Sequence, residues 1–267
     1  MTLVTLMTDF GICDEYVGVM KGVIAGIDPN VRTVDISHHI APQDVVHGAF
    51  VLAAAYAYFP AGTVHLAVVD PGVGTARRIL AVECGGHRFV APDNGLLERV
   101  LADQPADRVV SVVNRCYSLK RVGFTFHGRD VFAPAAAHLA AGVPLTRLGP
   151  VVDRRSVVAG VVPQCRLSAE GGLEGTVVAV DRFGNLMTNI EAEAIETLKG
   201  SIGGRPLIVE LSGRPMGGLA DFYDQVPLHA PLALVGSRGL LEISVNGGDA
   251  RRTLDAGKND PVRVRPG

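Results

Sequence analysis

Residues 3–27, LVTLMTDFGICDEYVGVMKGVIAGI, predict a strand, a loop and a helix in that order. The apolar run at 3–7 is typical of a buried strand. Asp14 then precedes a segment, 15–27, that has the length of a helix and stops before the Asp-Pro pair at 28–29, where a helix is expected to end. A strand followed by a loop and a helix is the repeating unit of an α/β fold.

The same alternation continues through the first half of the chain. The segment 42–59 has the length and apolar spacing of a buried helix. Further strands are predicted at 33–36, 64–69, 79–82 and 109–113. Strands that alternate with helices predict an α/β domain with a largely parallel sheet and flanking helices. Functional loops of such sheets follow the carboxyl ends of the strands, where Asp9 and Asp70 stand.

After about residue 158 the pattern changes to short apolar runs divided by Gly and Pro. One helix is predicted at 192–199, and strands are predicted at 175–180, 207–211, 232–235, 240–245 and 262–264. This pattern predicts a smaller C-terminal antiparallel β-barrel-like domain. The predicted organisation is an N-terminal α/β domain at 1–158, a linker at 159–172 and the C-terminal β domain at 173–267.

The composition excludes several classes of protein. With 48% hydrophobic and 19% charged residues, the 267-residue chain can bury enough apolar surface to fold, which excludes intrinsic disorder. Its 25 basic and 27 acidic side chains lack the basic excess that nucleic-acid binding requires. The longest apolar run, 49–59, is far shorter than the roughly 20 residues that span a bilayer. The first ten residues contain no Lys or Arg, so we expect no signal peptide and a cytoplasmic location.

No metal site is predicted from the spacing of the usual ligands. The eight histidines form no HExxH or HxH pattern. The four cysteines, which we expect to be scattered reduced thiols, are Cys13, Cys84, Cys116 and Cys165.

The densest cluster of unusual residues is VDPGVGTARR at 69–78. It places Asp70 at a strand end, before a glycine-rich turn and the basic pair Arg77 and Arg78. The alternative to a functional site is a tight turn whose two arginines are solvated. A dinucleotide site is not indicated, because the third glycine and the following helix are missing.

A second cluster, TFHGRD at 125–130, places His127 between an aromatic residue and a glycine. A lone histidine is usually structural, but a polar loop held by a scaffold is where catalytic groups concentrate. Further clusters are DRFGNLMTN at 181–189, GSRG at 236–239 and PDNG at 92–95. Each of these three is also compatible with ordinary turn chemistry, the first as a hairpin turn capped by Asp and Asn.

Together these clusters belong to a longer series of motifs in a fixed order. The series is TDFG at 8–11, DEYVGVMKG at 14–22, YFPAGTVHLAVVDPGVGT at 58–75, APDNG at 91–95, TFHGRDVFAPAAAHLAAG at 125–142, DRFGN and TNI at 181–190, and SRGLLEISVNGG at 237–248. It resembles the adenosine-forming S-adenosyl-L-methionine (SAM) hydrolases, also called SAM hydroxide adenosyltransferases, which are related to fluorinases and chlorinases. The resemblance covers nearly the whole chain.

The resemblance implies an N-terminal α/β domain, a C-terminal β-barrel-like domain, and homotrimers whose active sites lie between neighbouring subunits. It implies SAM as the substrate, with no cofactor. The implied site residues are Asp70, Arg77 and His127 for the attacking water, Asp9 for the ribose hydroxyls, Asp181, Ser237 and Arg238 near the methionine moiety, and Phe183 and Asn185 at the adenine.

The implied reaction is attack of water or hydroxide on the ribose C5′, with methionine leaving as a neutral thioether. His127 is the better proton acceptor of the three water-activating residues, because its ordinary pKa is near neutrality. Two alternatives stay open, namely halide transfer and a non-catalytic module that binds SAM or adenosine. The halogenases resemble one another in carrying Tyr in place of Asp70 and an extra loop without a counterpart between Phe59 and Ile79, which favours water over halide.

Overall fold

A computed structural model describes residues 2–267 of the chain. The chain divides into two compact units, the first ending at Val162 and the second spanning Pro163–Gly267. The sequence-based domain boundaries at 158 and 172 stay a prediction, since compactness alone does not define independently folding domains. Within residues 2–267, no helix combines the length and the apolar character that a membrane crossing requires.

The first unit is built on one six-stranded sheet. Its strands are β1 (Leu3–Thr8), β2 (Arg32–Ser37), β3 (Val64–Val68), β4 (Ile79–Cys84), β5 (His87–Pro92) and β6 (Arg108–Ser111). They follow the order β2-β1-β3-β5-β4-β6. β1 is parallel to β2 and β3, and β3 is parallel to β5, whereas β4 is antiparallel to β5 and β6. The prediction of a largely parallel sheet is confirmed.

Helices cover both faces of this sheet, as predicted. They are α1 (Tyr16–Ile27), α2 (Val45–Tyr56), α3 (Glu98–Asp103) and α4 (Ala133–Ala140), with 3₁₀ turns at Arg115–Tyr117, Leu145–Arg147 and Arg154–Ser156. Side chains of β1 alternate between two cores because the period of a strand is two residues. Leu6 packs in a core with Met20 of α1 and with α4, whereas Met7 packs in a second core with Leu52 of α2 and Val100 of α3.

Two elements of this unit differ from the sequence-based prediction. The helix predicted at 42–59 is shorter, since the side chain of Asp44 accepts a hydrogen bond from the backbone N–H of His47 (2.9 Å) and caps a helix that begins at Val45. The strand His87–Pro92 was not predicted. It begins with His and Arg and ends in Pro, so its sequence lacks the apolar run by which its neighbours were recognised.

β1 and β3 are neighbours in the sheet, although β2 separates them along the chain. The chain leaves β1 for β2 on one side of it and returns to β3 on the other side. Such a reversal opens a crevice at the carboxyl ends of the two strands, which is where open α/β sheets bind their ligands. Asp9 directly follows β1, and Asp70 comes two residues after the end of β3.

The second unit holds nine strands, mostly antiparallel, in a nearly closed barrel-like sheet. They are β7 (Arg166–Leu167), β8 (Leu173–Val180), β9 (Leu186–Glu191), β10 (Leu207–Leu211), β11 (Arg214–Gly217), β12 (Leu219–Ala220), β13 (Pro231–Val235), β14 (Leu240–Val245) and β15 (Pro261–Pro266). Their order is β11-β10-β15-β8-β9-β14-β13-β12, and β7 also pairs with β8. The helices are α5 (Ala192–Ser201) and α6 (Ala250–Thr253), with a 3₁₀ turn at Tyr223–Gln225. The predicted C-terminal β-barrel-like fold is confirmed.

β9 was not predicted, because polar residues interrupt its apolar pattern. These polar side chains are buried and bonded inside the unit. The hydroxyl of Thr188 donates to the carbonyl of Leu241 (2.8 Å), and Oδ1 of Asn189 accepts from the backbone N–H of Thr176 (2.7 Å). Hydrogen bonds of this kind let a polar side chain occupy a core position.

A chain of buried polar side chains crosses the sheet of the first unit. The hydroxyl of Thr5 lies 2.8 Å from Nδ1 of His65, and Nε2 of His65 lies 3.1 Å from Nδ1 of His87. His65 also stacks on the ring of Phe89. Burial, and secondarily the charge of His87, lowers the pKa of His65 from 6.5 to about 3, and burial also lowers the pKa of His87. Both rings are therefore held in their neutral form.

The buried His65 predicts a specific loss of stability in acid. Because its pKa in the folded state lies below that in the unfolded state, stability is complete above pH 6.5 and falls as the pH drops toward about 3. Between pH 7 and pH 5 this one group should lower the free energy of unfolding by about 2 kcal/mol. Urea unfolding of His65→Gln should show a pH dependence that is weaker by that amount. The exposed His39 provides the control, since His39→Gln should keep the wild-type dependence; an unchanged dependence in His65→Gln would contradict the assignment.

Candidate active site

The turn after β3 is shaped by backbone hydrogen bonds and by Gly74. The N–H of Val73 donates to the carbonyl of Asp70 (3.2 Å), and the hydroxyl of Thr75 donates to the carbonyl of Gly72 (2.7 Å). Gly74 has a φ of +79°, and a Cβ atom there would lie 2.5 Å from the carbonyl oxygen of Phe124. Only glycine fits this position. The turn brings Asp70 and Arg77 back toward each other.

Asp70 and Arg77 form a nearly buried ion pair. Nε of Arg77 donates to both carboxylate oxygens of Asp70, at 2.9 and 3.0 Å, and Nη2 also donates to Oδ2. The side chains are 4% and 11% exposed. The alternative of a plain turn with two solvated arginines is thus wrong, because Arg78 is paired as well: its Nε donates to Asp93 at 2.7 Å.

His127 completes a row of three side chains. Nη2 of Arg77 donates to Nδ1 of His127 at 2.9 Å, which requires an unprotonated Nδ1 and places the ring hydrogen on Nε2. Burial, followed by the positive charge of Arg77, lowers the pKa of His127, although the backbone of Gly123 and the carboxylates of Asp70 and Asp130 act in the opposite direction. His127 is therefore neutral in this arrangement.

The local fold of the 125–132 segment fixes the position of His127. A π-helical turn, Gly128–Phe132, follows it directly and leads into α4. Such turns are rare in proteins, and those that do occur are often found at functional sites. The ring of Phe132 lies 5.5 Å from the guanidinium carbon of Arg77. His127 also lines a cavity of about 190 Å³ with Ser118 and Val122, which has room for several water molecules.

This row has the groups that are needed to activate a small nucleophile. The guanidinium of Arg77 stays charged and can stabilise negative charge that develops on an oxygen atom. The carboxylate of Asp70 orients the guanidinium and can accept a hydrogen bond. Nδ1 of His127 can take up a proton once the hydrogen bond from Nη2 of Arg77 to this atom breaks. Among residues 2–267, no cluster of three or more His, Cys, Asp or Glu side chains is arranged to hold a metal ion.

Asp9 lies at the same carboxyl edge of the sheet and is held by one hydrogen bond. Its Oδ2 accepts from the backbone N–H of Gln43 at 2.7 Å, in the loop before α2. No hydrogen-bond donor within residues 2–267 contacts the other carboxylate oxygen, Oδ1. Asp9 can therefore accept further hydrogen bonds from a ligand.

A network of polar contacts that was not predicted, buried at Thr8 and His38 and partly exposed at its outer end, fixes the turn that carries Asp9. The hydroxyl of Thr8 accepts from the N–H of Phe10 (3.2 Å) and lies 2.8 Å from Nδ1 of His38. Nε2 of His38 lies 3.1 Å from Asp35, which also pairs with Lys21. The sequence gives no sign of this network beyond the pair of adjacent histidines at 38–39, because it joins three separate segments.

An aromatic cluster connects the segments of Asp9 and His127. The ring of Phe10, the residue after Asp9, lies 5.9 Å from the ring of Phe126, the residue before His127. Tyr16 of α1 packs edge-on against Phe126 at 5.0 Å. The first unit thus brings Asp9 and the row of Asp70, Arg77 and His127 to one edge of its sheet.

The remaining predicted site residues lie in two turns of the second unit. Between β8 and β9, Oδ1 of Asp181 accepts from the N–H groups of Phe183 (2.8 Å) and Asn185 (2.9 Å), and its Oδ2 accepts from Nδ2 of Asn185 (3.0 Å). The hairpin turn that the sequence analysis left open as the alternative for this cluster is therefore present, and Phe183 is 75% exposed on it. Ser237 and Arg238 are exposed in the turn between β13 and β14.

These two turns lie at opposite ends of the antiparallel pair of strands β9 and β14. Leu186 at the start of β9 faces Ile243, whereas Leu240 at the start of β14 faces Glu191. The assignment of the five residues in these turns to a ligand stays a prediction. Glu242, which was not predicted, lies between the turns on β14 and accepts a hydrogen bond from the hydroxyl of Tyr223 (2.7 Å).

The chain is similar to proteins of one family over nearly its whole length. One relative, from Salinispora tropica, is named (R)-S-adenosyl-L-methionine hydrolase. It is 40% identical to this chain, and the alignment covers 99% of this chain and 98% of the relative. A fluorinase from Actinopolyspora mzabensis is 29% identical, with 98% of this chain and 96% of that protein covered. The crystal structure of an uncharacterized conserved protein from Thermotoga maritima superposes with a TM-score of 0.88 at 35% identity, covering 98% of this chain and 99% of that one.

Family models agree with these relatives and confirm the resemblance seen in the sequence. Residues 4–149 match the SAM hydroxide adenosyltransferase N-terminal domain, and residues 175–263 match the C-terminal domain of the same family. The chain therefore belongs to the SAM hydroxide adenosyltransferase family.

Proposed function

We propose that this protein hydrolyses SAM to adenosine and L-methionine. The observation that carries the proposal is the row of Asp70, Arg77 and His127, whose charge and hydrogen-bonding groups suit the activation of a water molecule. Membership of the family, and similarity to a protein named (R)-S-adenosyl-L-methionine hydrolase, support the same substrate.

In the proposed reaction the oxygen of water forms a bond to the ribose C5′ while the bond from C5′ to sulfur breaks. The electron pair of that bond goes to sulfur, so methionine leaves as a neutral thioether and needs no general acid. The positive charge of the sulfonium reappears as the proton that water gives up. The enzyme therefore has to supply an activated nucleophile, because neutral water contains almost no hydroxide.

Each member of the row has a distinct part in this proposal. Arg77 stabilises the developing hydroxide, and Asp70 orients both the arginine and the water. Nδ1 of His127 accepts the proton that water gives up. This nitrogen becomes free when the N–H of Arg77 turns toward the developing hydroxide. Holding the water in line with the bond that breaks contributes further, since well-oriented reactants gain up to roughly 7 to 11 kcal/mol.

The other predicted residues are assigned to substrate binding. Asp9 would hold the ribose hydroxyls, using the carboxylate oxygen that Gln43 leaves free. The proposed contacts of the second unit are Asp181, Ser237 and Arg238 near the methionine moiety, and Phe183 and Asn185 at the adenine. The exposed ring of Phe183 supports the last assignment, because an aromatic face can stack on a base.

Halide transfer is the second candidate, since a fluorinase is among the relatives. Asp70 favours water for a physical reason. Its carboxylate can accept a hydrogen bond from water, whereas a halide has no hydrogen to donate and is repelled by the negative charge.

We further propose that the protein is a homotrimer in which the N-terminal unit of one subunit and the C-terminal unit of its neighbour share each active site. The division of the candidate residues supports this, because the water-activating row lies in the first unit and the proposed adenine contacts lie in the second.

The proposed function predicts that the purified protein releases adenosine and methionine from SAM in equal amounts. In ¹⁸O-labelled water the label should enter the 5′-hydroxyl of adenosine and be absent from methionine. Chromatography with mass spectrometry, with and without added fluoride and chloride, checks both points. A 5′-halogenated nucleoside would instead indicate halide transfer, and SAM binding without any product would indicate a binding module.

Single substitutions should separate the roles of the first-unit residues. Asp70→Ala and His127→Ala should lower kcat by about 100-fold or more with little change in KM, because both residues act on the water. Asp9→Ala should mainly raise KM, by about tenfold or more, because it removes hydrogen bonds to the bound ribose. Steady-state kinetics checks this, with Asp153→Ala as the control, since Asp153 is an exposed acid paired with Arg155. A loss confined to KM in the first two variants would contradict their role.

A site shared between subunits predicts complementation between variants of the two units. Asp70→Ala and Phe183→Ala should each be impaired alone, and Phe183 is exposed enough that its removal spares the fold. Co-expression in equal amounts should restore activity at about a quarter of the sites, namely those that combine two unmutated halves. Kinetics and sedimentation of the co-assembled protein check this. A fully active monomer, or co-assembly without recovery, would contradict the shared site.

A further inference from the structure

Asp130 is a buried carboxylate to which the proposed mechanism gives no part. It lies in the π-helical turn three residues after His127 and is 0% exposed. Its Oδ2 accepts a hydrogen bond from the backbone N–H of Gly123 at 2.8 Å, and its Oδ1 accepts from Nε of Arg129 at 2.6 Å. A carboxylate is expensive to bury, so contacts of this quality indicate a position that is built for it.

The backbone of Asp130 is bonded to the same loop as its side chain. Its carbonyl accepts from the N–H of Leu119 (2.8 Å), and its N–H donates to the carbonyl of Phe126 (3.1 Å). With the bond to Gly123, the loop 119–126 is therefore tied to residue 130 at three points. Arg129 adds a fourth contact, because its guanidinium lies over the ring of Phe126 at 5.2 Å.

The tied loop rests directly on the turn that carries the ion pair. The carbonyl oxygen of Phe124, one residue after the Gly123 anchor, occupies the space where a side chain of Gly74 would begin. Gly74 belongs to the turn between Asp70 and Arg77. A displacement of the loop would thus act on both sides of the hydrogen bond from Arg77 to His127.

The negative charge of Asp130 also acts on the pKa of His127. The charged groups around His127 are Arg77 and Asp70 from the neighbouring turn and Asp130 from its own segment, where Arg129 is the partner of Asp130. Burial opposes the ionised form of Asp130, but the hydrogen bonds from Arg129 and Gly123 outweigh it and lower its pKa. Asp130 is therefore a fixed negative charge close to the imidazole, and it opposes the effect of Arg77 on the pKa of His127.

We propose that Asp130 is a positioning residue for the hydrolysis, which holds the loop 119–126 on the 70–77 turn and sets the charge that His127 faces. The proposal rests on the proposed function in so far as His127 acts on the water. It assigns Asp130 no contact with substrate. It does assign Asp130 an influence on two measurable quantities, the alignment of the row and the proton affinity of His127.

Two substitutions of opposite electrostatic effect test this. Asp130→Asn keeps an oxygen acceptor for the N–H of Gly123 but removes the negative charge, so the acid limb of the pH profile of kcat/KM should move to lower pH. Arg129→Gln removes the counter-charge, so the limb should move to higher pH. Asp130→Ala also releases the loop and should lower kcat by about 100-fold with a smaller change in KM, as misplacement of catalytic groups does.

The same shifts are measurable without any activity. Histidine NMR titration of the full-length variants, with His127→Gln to assign the resonance, should show the pKa of His127 lowered in Asp130→Asn and raised in Arg129→Gln. Asp153→Asn is the matched control, because Asp153 also pairs with an arginine close to it in sequence, but this ion pair is exposed. It should change neither quantity.

The outcomes separate this proposal from the proposed function. Wild-type protein without adenosine release would refute the function, while opposite NMR shifts in the two variants would still support the role of Asp130. Folded variants with wild-type kcat and an unmoved pKa of His127 would overturn the proposal. If Asp130→Ala does not fold, the test depends on Asp130→Asn and Arg129→Gln alone. Equal shifts of the pKa of His127 in the same direction in both variants would show that Asp130 has only a structural role.

Discussion

The guanidinium of Arg77 holds two partners at once, and the candidate active site depends on that double contact. Its Nε and Nη2 hydrogens bind the carboxylate of Asp70, and Nη2 also reaches Nδ1 of His127. Because Asp70 and Arg77 are almost fully buried, either charge without the other would be strongly unfavourable in this place. The pair thereby fixes the third member as well, since an imidazole that accepts from a guanidinium is held neutral and in one orientation.

The sheet explains why such a site can be built at this edge from short segments. Parallel strands end together, and because β2 and β3 are added on opposite sides of β1, a crevice opens at the carboxyl ends of β1 and β3. Asp9 and Asp70 need only one or two residues beyond their strands to reach it. The sheet therefore positions Asp9 and Asp70, and the loops position Arg77 and His127 beside Asp70.

The sequence was sufficient for the features that depend on local pattern. The apolar runs at 3–7 and 64–69 located β1 and β3, and their ends located Asp9 and Asp70. It was insufficient for strands whose pattern is altered by specific contacts, such as β9 with its internally bonded Thr188. The contact between Arg77 and His127 joins residues 50 positions apart, so its geometry follows from the packing of two loops and is visible in neither loop alone.

The close approach of Gly74 to the carbonyl of Phe124 has a consequence for how this protein can diverge. The two loops touch through backbone atoms on both sides, so neither can change shape by exchanging a flexible side chain. A lineage that lengthened the 70–77 turn, or placed another residue at position 74, would have to remodel the loop around Phe124 in the same evolutionary step. The loops that carry Arg77 and His127 should therefore be inherited as a pair, and new chemistry at this edge should arise by exchanging both together.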